Sequence, residues 1–314
     1  MHCLITGGAG FIGSRLAERL LEEGIRVTSL DNFDPFYARK LKMANLRCCL
    51  RSPDFRLVEG DIRDAAALES IPAPLDCIVH LAAKAGVRPS LADPGGYVSV
   101  NVAGLQSMLE FARRRSVPQF VFASSSSVYG VNPRTPWSES DHVLLPVSPY
   151  AGTKVAGELM GHVYASLYGM RFLALRLFTV YGPRQRPDLA IRKFAEAILA
   201  GRPLPMFGDG SSSRDYTYVD DIVAGFRAAM DYRATNYEVI NLGNSDPISL
   251  RDMIRVIEEA LNRKATLDLQ PPQPGDVPAT FADIRKAGDL LGYRPATSFT
   301  EGVSRFVSWL RTHA

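Results

Sequence analysis

The stretch "GGAGFIG", Gly7 to Gly13, constrains this chain more than any other. It follows "HCLIT", a short apolar and β-branched run that reads as a strand. It opens "FIGSRLAERLLEEG", in which Phe11, Ile12, Leu16, Leu20 and Leu21 recur at helical spacing and Gly24 stands just past the helix end. "RVTSL" then reads as a second strand and leads to Asp31. Strand, glycine turn, helix, strand and acidic residue, in that order, are what dinucleotide binding requires. Gly7 makes the tight turn, Gly10 lets backbone approach a pyrophosphate, and Gly13 lets the helix pack against the strand. The helix N-terminus offers free N–H groups and the positive end of its dipole to the phosphates. Asp31 can accept hydrogen bonds from both ribose hydroxyls and repels a 2′-phosphate. No arginine follows it in "DNFDP", so NAD is expected rather than NADP. The competing reading is a structural glycine turn with a chance Asp beyond it, and the flanking strands weigh against that.

The pattern repeats along the chain. "FRLVEGDI", ending in Asp61 and Ile62, "LDCIVHLAA", "QFVFA", "MRFLALRLF" and "YEVINLG" all read as strands, with a helix around "VNVAGLQSMLEFARRR". Strands alternating with helices imply an α/β fold, a doubly wound parallel (Rossmann) sheet whose ligands lie beyond the strand C-termini. Ala82 and Ala83, small and at a strand end, allow close contact with the cofactor. Residues 1–176 form the expected NAD-binding domain and 177–314 a smaller mixed α/β unit for the substrate, with the strand near 237–242 returning to the main sheet.

A formal charge of +3 over 314 residues, with "RRR" at Arg113–Arg115 closing a helix, gives no support to nucleic-acid binding. No apolar run approaches a membrane span. Cys3, Cys48, Cys49 and Cys77 show no CxxC spacing, and the five histidines are scattered, so neither a disulfide framework nor a metal site is expected. The chain opens directly on a strand, which with reduced thiols suggests the cytoplasm.

"VFASSSSVYG" places four serines, Ser124 to Ser127, where the parallel-sheet rule puts the ligand cleft. "VSPYAGTKVAGELMGHVY" reads as a helix with Ser148 as N-cap and Pro149 in its first turn. Tyr150 and Lys154 then share one face. A phenol with pKa near 10 is a poor base at neutral pH. A neighbouring ammonium, with the positive nicotinamide of NAD⁺, favours the phenolate, and Lys154 can also hold the nicotinamide ribose. A YxxxK spacing alone is common and carries little weight.

Together, "TGGAGFIG", the strand-end serine and "YAGTK" resemble the extended short-chain dehydrogenase/reductases that act on nucleotide sugars. The resemblance spans the chain, with "DNF", "GDI", "HLAA", "NVAG", "FGDGSSSRDYTYVDDI" and "GDVPATFADIRKA" in the family's order. It implies Ser125, Tyr150 and Lys154 as the catalytic set. To the cofactor it assigns Gly7, Gly10, Phe11, Ile12, Gly13, Asp31, Asn32, Asp61, Ile62, Leu81, Ala82, Ala83, Lys84 and Asn101, besides Tyr150 and Lys154. Family dehydratases read "TDEVYG" and decarboxylases "TSEVYG" at the serine segment. Here Ser127 replaces the carboxylate, which removes the acid/base group for elimination, and the segment looks like an epimerase's. Ser124 reads as merely ending the strand.

"RLFTVYGPRQRPDLA", with Thr179 where galactose epimerases carry Asn, resembles UDP-glucuronate 4-epimerases, as do "QPGDVPATFAD", "DNFDPFYARKLKMANL" and "AAKAGVRPS". Lys84 departs from the Gln of that subgroup. Thr179, Ser126 and Ser127 are expected around a sugar carboxylate. The resemblance offers Arg214 and Asp276 for diphosphate and ribose, with Arg88 and Arg186 as further candidates. It implies a UDP-sugar 4-epimerase with tightly bound NAD, forming a homodimer through the helices around Asn101–Arg113 and Tyr150–Leu167. The rivals are a UDP-glucose/UDP-galactose 4-epimerase, a UDP-glucuronate decarboxylase, a dehydrogenase releasing NADH and a silent NAD-binding sensor.

Overall fold

Strand β1 (His2–Thr6) stops at Gly7, whose φ of +71° turns the chain into α1 (Phe11–Glu22). A side chain would be strained in that left-handed conformation. β2 (Arg26–Asp31) comes back parallel to β1, with Thr6 opposite Leu30. The computed structural model describes residues 1–141, 145–271 and 278–313. The first half continues with α2 (Arg39–Asn45), β3 (Phe55–Glu59), α3 (Ala65–Glu69), β4 (Cys77–His80), α4 (Val87–Ala92) and α5 (Pro94–Val98). It is completed by α6 (Gly104–Arg114), β5 (Gln119–Ser125), α7 (Pro149–Tyr168) and β6 (Arg171–Leu177). Then follow β7 (Thr179–Tyr181), α8 (Ala190–Leu199), β8 (Leu204–Phe207), β9 (Ser213–Tyr218), α9 (Val219–Asp231) and β10 (Tyr237–Leu242). The chain ends with β11 (Pro247–Ser249), α10 (Leu250–Leu261), β12 (Leu267–Gln270), α11 (Arg285–Leu291) and α12 (Phe299–His313).

Seven strands form one parallel sheet in the order β10-β6-β5-β4-β1-β2-β3. The chain steps outward from β1 to β3, then restarts at β4 on the other side of β1. The order therefore reverses between β1 and β4, and the crevice beyond their C-termini is where such sheets take ligands. Tyr237–Leu242 lies beside β6, Tyr237 opposite Phe172, so a segment late in the sequence closes the sheet's edge. Successive residues of a strand face opposite ways. Ile5 thus enters the core shared with Leu16 and Phe226, and Leu4 the core shared with Leu105 and Phe172.

The remaining strands make a three-stranded sheet, β11-β9-β7, and a pair, β12-β8. Buried Asp215 of β9 ties this region together by accepting hydrogen bonds from the backbone N–H groups of Asn244 (2.7 Å), Ser245 (3.0 Å) and Ala282 (3.0 Å). Two sequence readings change in detail. β5 runs on through Ser124 and Ser125, and β3 stops at Glu59, leaving Asp61 in the turn that follows. Among the described residues, no helix is long and apolar enough to cross a membrane, and no three His, Cys, Asp or Glu side chains gather as a metal site.

Candidate active site

The cleft is built at the switch point. Gly7 is pressed against the loop after β4: a Cβ there would lie 2.8 Å from Ala82 N, and one at Gly13 would lie 2.4 Å from Gly7 O. The turn is bare backbone with α1 starting from Gly10, the cradle that a pyrophosphate needs, with Phe11 and Ile12 in the first helical turn. Asp31 is buried at the end of β2 and accepts from Ala9 N at 3.0 Å and Phe33 N at 2.8 Å, which fixes its carboxylate at the edge of the cradle. Asn32 donates to Asp61 at 2.9 Å, beside buried Ile62. Hydrogen bonds from Arg63 and Asn32 hold the Asp61 carboxyl down at about 2, against the opposing effect of burial.

Leu81, Ala82 and Ala83 carry the loop away from β4, with Ala82 N donating to Thr6 Oγ1 at 3.2 Å. Asn101 braces this loop: its amide exchanges hydrogen bonds with Lys84 N (2.8 Å) and Lys84 O (2.9 Å) and donates to Thr153 of α7 at 3.0 Å. The Lys84 ammonium meets Asp93 at 3.1 Å. Asn101 therefore joins the cofactor loop to the helix that carries Tyr150.

Ser148 caps α7, its hydroxyl accepting from Ala151 N at 3.1 Å, and Gly169 ends the helix with a φ of +66°. Tyr150 and Lys154 sit on its first turns, facing the end of β5. Burial pushes the Tyr150 phenol up; a hydrogen bond from Ser125 and the charge of Arg186 pull it back down. Lys154 is only 4% exposed and donates to Ala123 O at 2.7 Å. Burial lowers its ammonium to about 8, opposed by the Glu158 carboxylate. A tyrosine within reach of a serine hydroxyl, with a buried ammonium one helical turn away, can move a proton on and off a substrate hydroxyl.

After Ser125 the chain turns through a short 3₁₀ segment, Ser126–Tyr129. Ser125 Oγ accepts from Ser127 N (3.2 Å) and donates to Ser127 Oγ (3.1 Å), and Ser126 and Ser127 remain half-buried. Ser124 does more than end a strand, because its hydroxyl donates to Glu158 Oε1 at 2.5 Å.

Thr179 begins β7, two residues past the end of β6 in sequence, and lies opposite Tyr216 of β9 in the three-stranded sheet. Arg186 ion-pairs with Asp188 at 2.8 Å and lies 5.4 Å over the Phe36 ring, and its charge reaches Tyr37, Tyr97 and Tyr150. Arg214 is on β9, where its guanidinium donates to Ser213 O at 2.8 Å, and Arg88 is on exposed α4. Asp276 lies outside the described residues. The structure gathers the glycine turn, Asp31, Ala82, Asn101, Ser125, Tyr150, Lys154 and Arg186, while Arg214 is held within the three-stranded sheet.

A family model described as the NAD dependent epimerase/dehydratase family matches residues 3–243. The chain belongs to this family. Its cofactor is NAD, and the glycine cradle with Asp31 fits that dinucleotide. Among relatives of this NAD-dependent epimerase/dehydratase chain, a probable UDP-glucuronate 4-epimerase of Rhizobium meliloti is 41% identical over 98% of this chain and 96% of its own length. Among solved structures, the UDP-glucuronic acid 4-epimerase from Bacillus cereus, in complex with UDP-glucuronic acid and NAD, superposes with a TM-score of 0.93 at 35% identity over the whole of both chains. The UDP-glucose 4-epimerase from Thermotoga maritima with UDP-glucose superposes with a TM-score of 0.91 at 32% identity, covering 100% of this chain and 99% of that one.

Several residues of the site escape sequence reasoning. Tyr97 of α5 packs edge-on against Tyr150, ring centroids 6.2 Å apart, and donates to Ala85 O at 3.0 Å. Glu158 and Arg176 form a buried ion pair at 2.8 Å behind Lys154. Glu158 carried a usable signal, since it stands one helical turn beyond Lys154 on the same face. Tyr97 carried none.

Proposed function

We propose that this chain interconverts UDP-glucuronate and UDP-galacturonate by oxidising C4 of the sugar, turning the 4-keto ring and reducing it again. The observation that carries this reading is the turn beside Tyr150, where Ser125, Ser126 and Ser127 present hydroxyls and no carboxylate. Tyr150, as phenolate, takes the C4 hydroxyl proton with Ser125 relaying it, and returns it after the ring has turned. The Lys154 ammonium stabilises that phenolate. NAD⁺ held by the glycine cradle and Asp31 would supply the hydride acceptor and donor for C4, and free NADH is then not expected as a product.

Ser126, Ser127 and Thr179 hold the C6 carboxylate by neutral donors. A bidentate guanidinium clamp would resist rotation, whereas hydroxyls can hold the group and release it. Held out of line with the keto π system, the carboxylate of the β-keto acid is kept from leaving as CO₂. Arg88, Arg186, Arg214 and Asp276 serve the diphosphate and ribose. A half-open pocket of about 660 Å³ lined by Pro187, Lys193, Phe194, Arg202 and Leu204 includes the sequence neighbour of Arg186 and offers room for the nucleoside end. On this reading residues 1–176 hold NAD and 177–314 the nucleotide sugar. The buried neighbours Cys3 and Cys77, both free thiols on β1 and β4, suit a reducing cytoplasm.

The Thermotoga neighbour keeps a UDP-glucose/UDP-galactose 4-epimerase as the second reading. Incubation with UDP-glucuronate or UDP-glucose, without added NAD, separates the two. UDP-galacturonate without CO₂ or free NADH is the expected product, and a pentose product or turnover of UDP-glucose alone overturns the proposal. Ser127→Ala with Thr179→Ala removes hydrogen bonds to a charged group, each worth about 1.5–3 kcal/mol. Glucuronate turnover should therefore fall by about tenfold or more, with CO₂ beginning to appear.

A further inference from the structure

Behind the catalytic pair lies a buried ionic cluster that the proton steps above leave unused. Glu158 and Arg176 are 3% and 4% exposed. Arg176 grips the carboxylate with two N–H groups, Nε to Oε1 at 2.9 Å and Nη2 to Oε2 at 2.8 Å. The remaining nitrogen, Nη1, is buried with no hydrogen-bond partner, and the guanidinium lies 4.7 Å over the Tyr129 ring. Burying an ion pair is costly and is weak evidence for stability. Such a pair beside a reactive lysine calls for another account.

The connections run toward Lys154. Ser124 and Arg176 are cross-strand partners on β5 and β6, and Ser124 Oγ donates to the same Glu158 oxygen that Arg176 Nε reaches. The peptide carbonyl immediately before Ser124, that of Ala123, is the acceptor for Lys154 Nζ at 2.7 Å. Lys154 and Glu158 are four residues apart on α7, on one face. Strand end and helix are thereby locked into one frame around the ammonium.

We infer that Glu158 is a positioning residue for Lys154, its carboxylate holding both the placement and the positive charge of the ammonium that supports Tyr150. The inference rests on the reading of Tyr150 and Lys154 proposed above. The groups facing Lys154 are His80 from β4, the Phe122 ring and the Ala123 carbonyl from β5, and Tyr150 and Glu158 from its own helix, with Arg176 of β6 behind Glu158. Burial pushes the ammonium down to about 8, and Glu158 opposes that fall. Take the carboxylate charge away and Lys154 loses its proton at lower pH. The Tyr150 phenolate then loses its support.

The test is the phenolate titration of Tyr150 in the holoenzyme, read as the part of the ultraviolet difference spectrum that Tyr150→Phe removes. Lys154→Met should raise its midpoint, which checks the foundation. Glu158→Gln should also raise it, by about one pH unit or about tenfold in proton affinity, and should bring the alkaline limb of kcat to lower pH while KM for UDP-glucuronate stays within about twofold. Glu158→Asp should restore part of the shift. If Glu158→Gln folds poorly, the paired change Glu158→Met with Arg176→Met replaces the whole ion pair by apolar bulk, a swap buried pairs often tolerate, and should give the same spectral shift. Should Lys154→Met move the titration while neither Glu158→Gln nor the paired Glu158→Met, Arg176→Met change does, the pair is a core element only and the inference fails alone. Should Lys154→Met leave it unmoved, the Tyr150–Lys154 reading fails and this inference with it.

Discussion

Between Ser124 and Ser127 the backbone leaves the extended form and enters a 3₁₀ turn, so adjacent hydroxyls reach different surroundings. Ser124 meets a buried carboxylate, Ser125 lies between Tyr150 and Ser127, and Ser126 and Ser127 line the half-buried turn. Position along the turn decides each role, because the four side chains are chemically identical. His80 shows the complementary case, in which surroundings silence a residue. It sits on β4 with Nδ1 2.9 Å from Thr6 Oγ1, and burial, with a smaller contribution from Lys154, lowers its pKa from 6.5 to about 3. The sign of the consequence is fixed. As pH falls below about 6.5, the unfolded chain takes up a proton that the folded chain refuses until about pH 3, so stability is lost through that window. His80→Asn keeps a polar group near Thr6 and cannot titrate. Its melting temperature should decline less steeply over the same acid range than that of the parent protein, and parallel profiles would show that His80 takes up its proton normally in the fold.

At the scale of the element, the first strand–turn–helix was legible because its signals are local. Glycine spacing, helical periodicity and a terminal Asp all lie within about thirty residues, as the dinucleotide unit requires. Ser148 and Gly169 likewise mark the ends of α7 through cap chemistry that needs no tertiary partner. The short strands β7, β8, β9, β11 and β12 were not legible. Segments such as SRDYTY in β9 and LDLQ in β12 lack the continuous apolar run that marks β1 and β4, and they acquire strand character from their neighbours rather than from their own pattern. The Glu158–Arg176 pair hides for a related reason: it forms only when β6 folds back alongside α7. A glycine contrast tests the local reading. Gly13→Ala would press a Cβ against Gly7 O and Gly8 Cα, both backbone atoms of the turn. It should cost about 1–3 kcal/mol and strip NAD from the purified protein, measured as bound dinucleotide per chain. Gly95→Ala, in α5 with nothing within 4 Å of the new methyl, should leave both quantities intact.

At the scale of the whole molecule, α7 carries two faces with different duties. Tyr150, Lys154 and Glu158 point inward at intervals of four, while Leu159 (59% exposed), Val163 (48%) and Leu167 (67%) recur at the same interval on the outside, followed by Tyr168 (52%). An apolar stripe of this kind on the helix that carries Tyr150 and Lys154 fits a second copy of the chain better than open water, in line with the homodimer through α6 and α7 that the sequence resemblance implies. α6 lies along the same face, where Glu110 accepts a hydrogen bond from Tyr164 and Arg113 lies over the Tyr168 ring. The proposal makes two linked expectations. Val163→Glu with Leu167→Glu places a like-charged pair in the middle of the stripe, which should yield particles of one chain, 34.4 kDa, by light scattering where the parent gives twice that mass. Because Tyr150 and Lys154 ride on the same helix, the separated chains should also turn over UDP-glucuronate more slowly at unchanged NAD content. Parent protein already at the mass of one chain would refute the dimer. Separated chains with undiminished turnover would show instead that α7 holds its catalytic face without a partner, braced by Asn101 through Thr153 and by the Glu158 cluster alone.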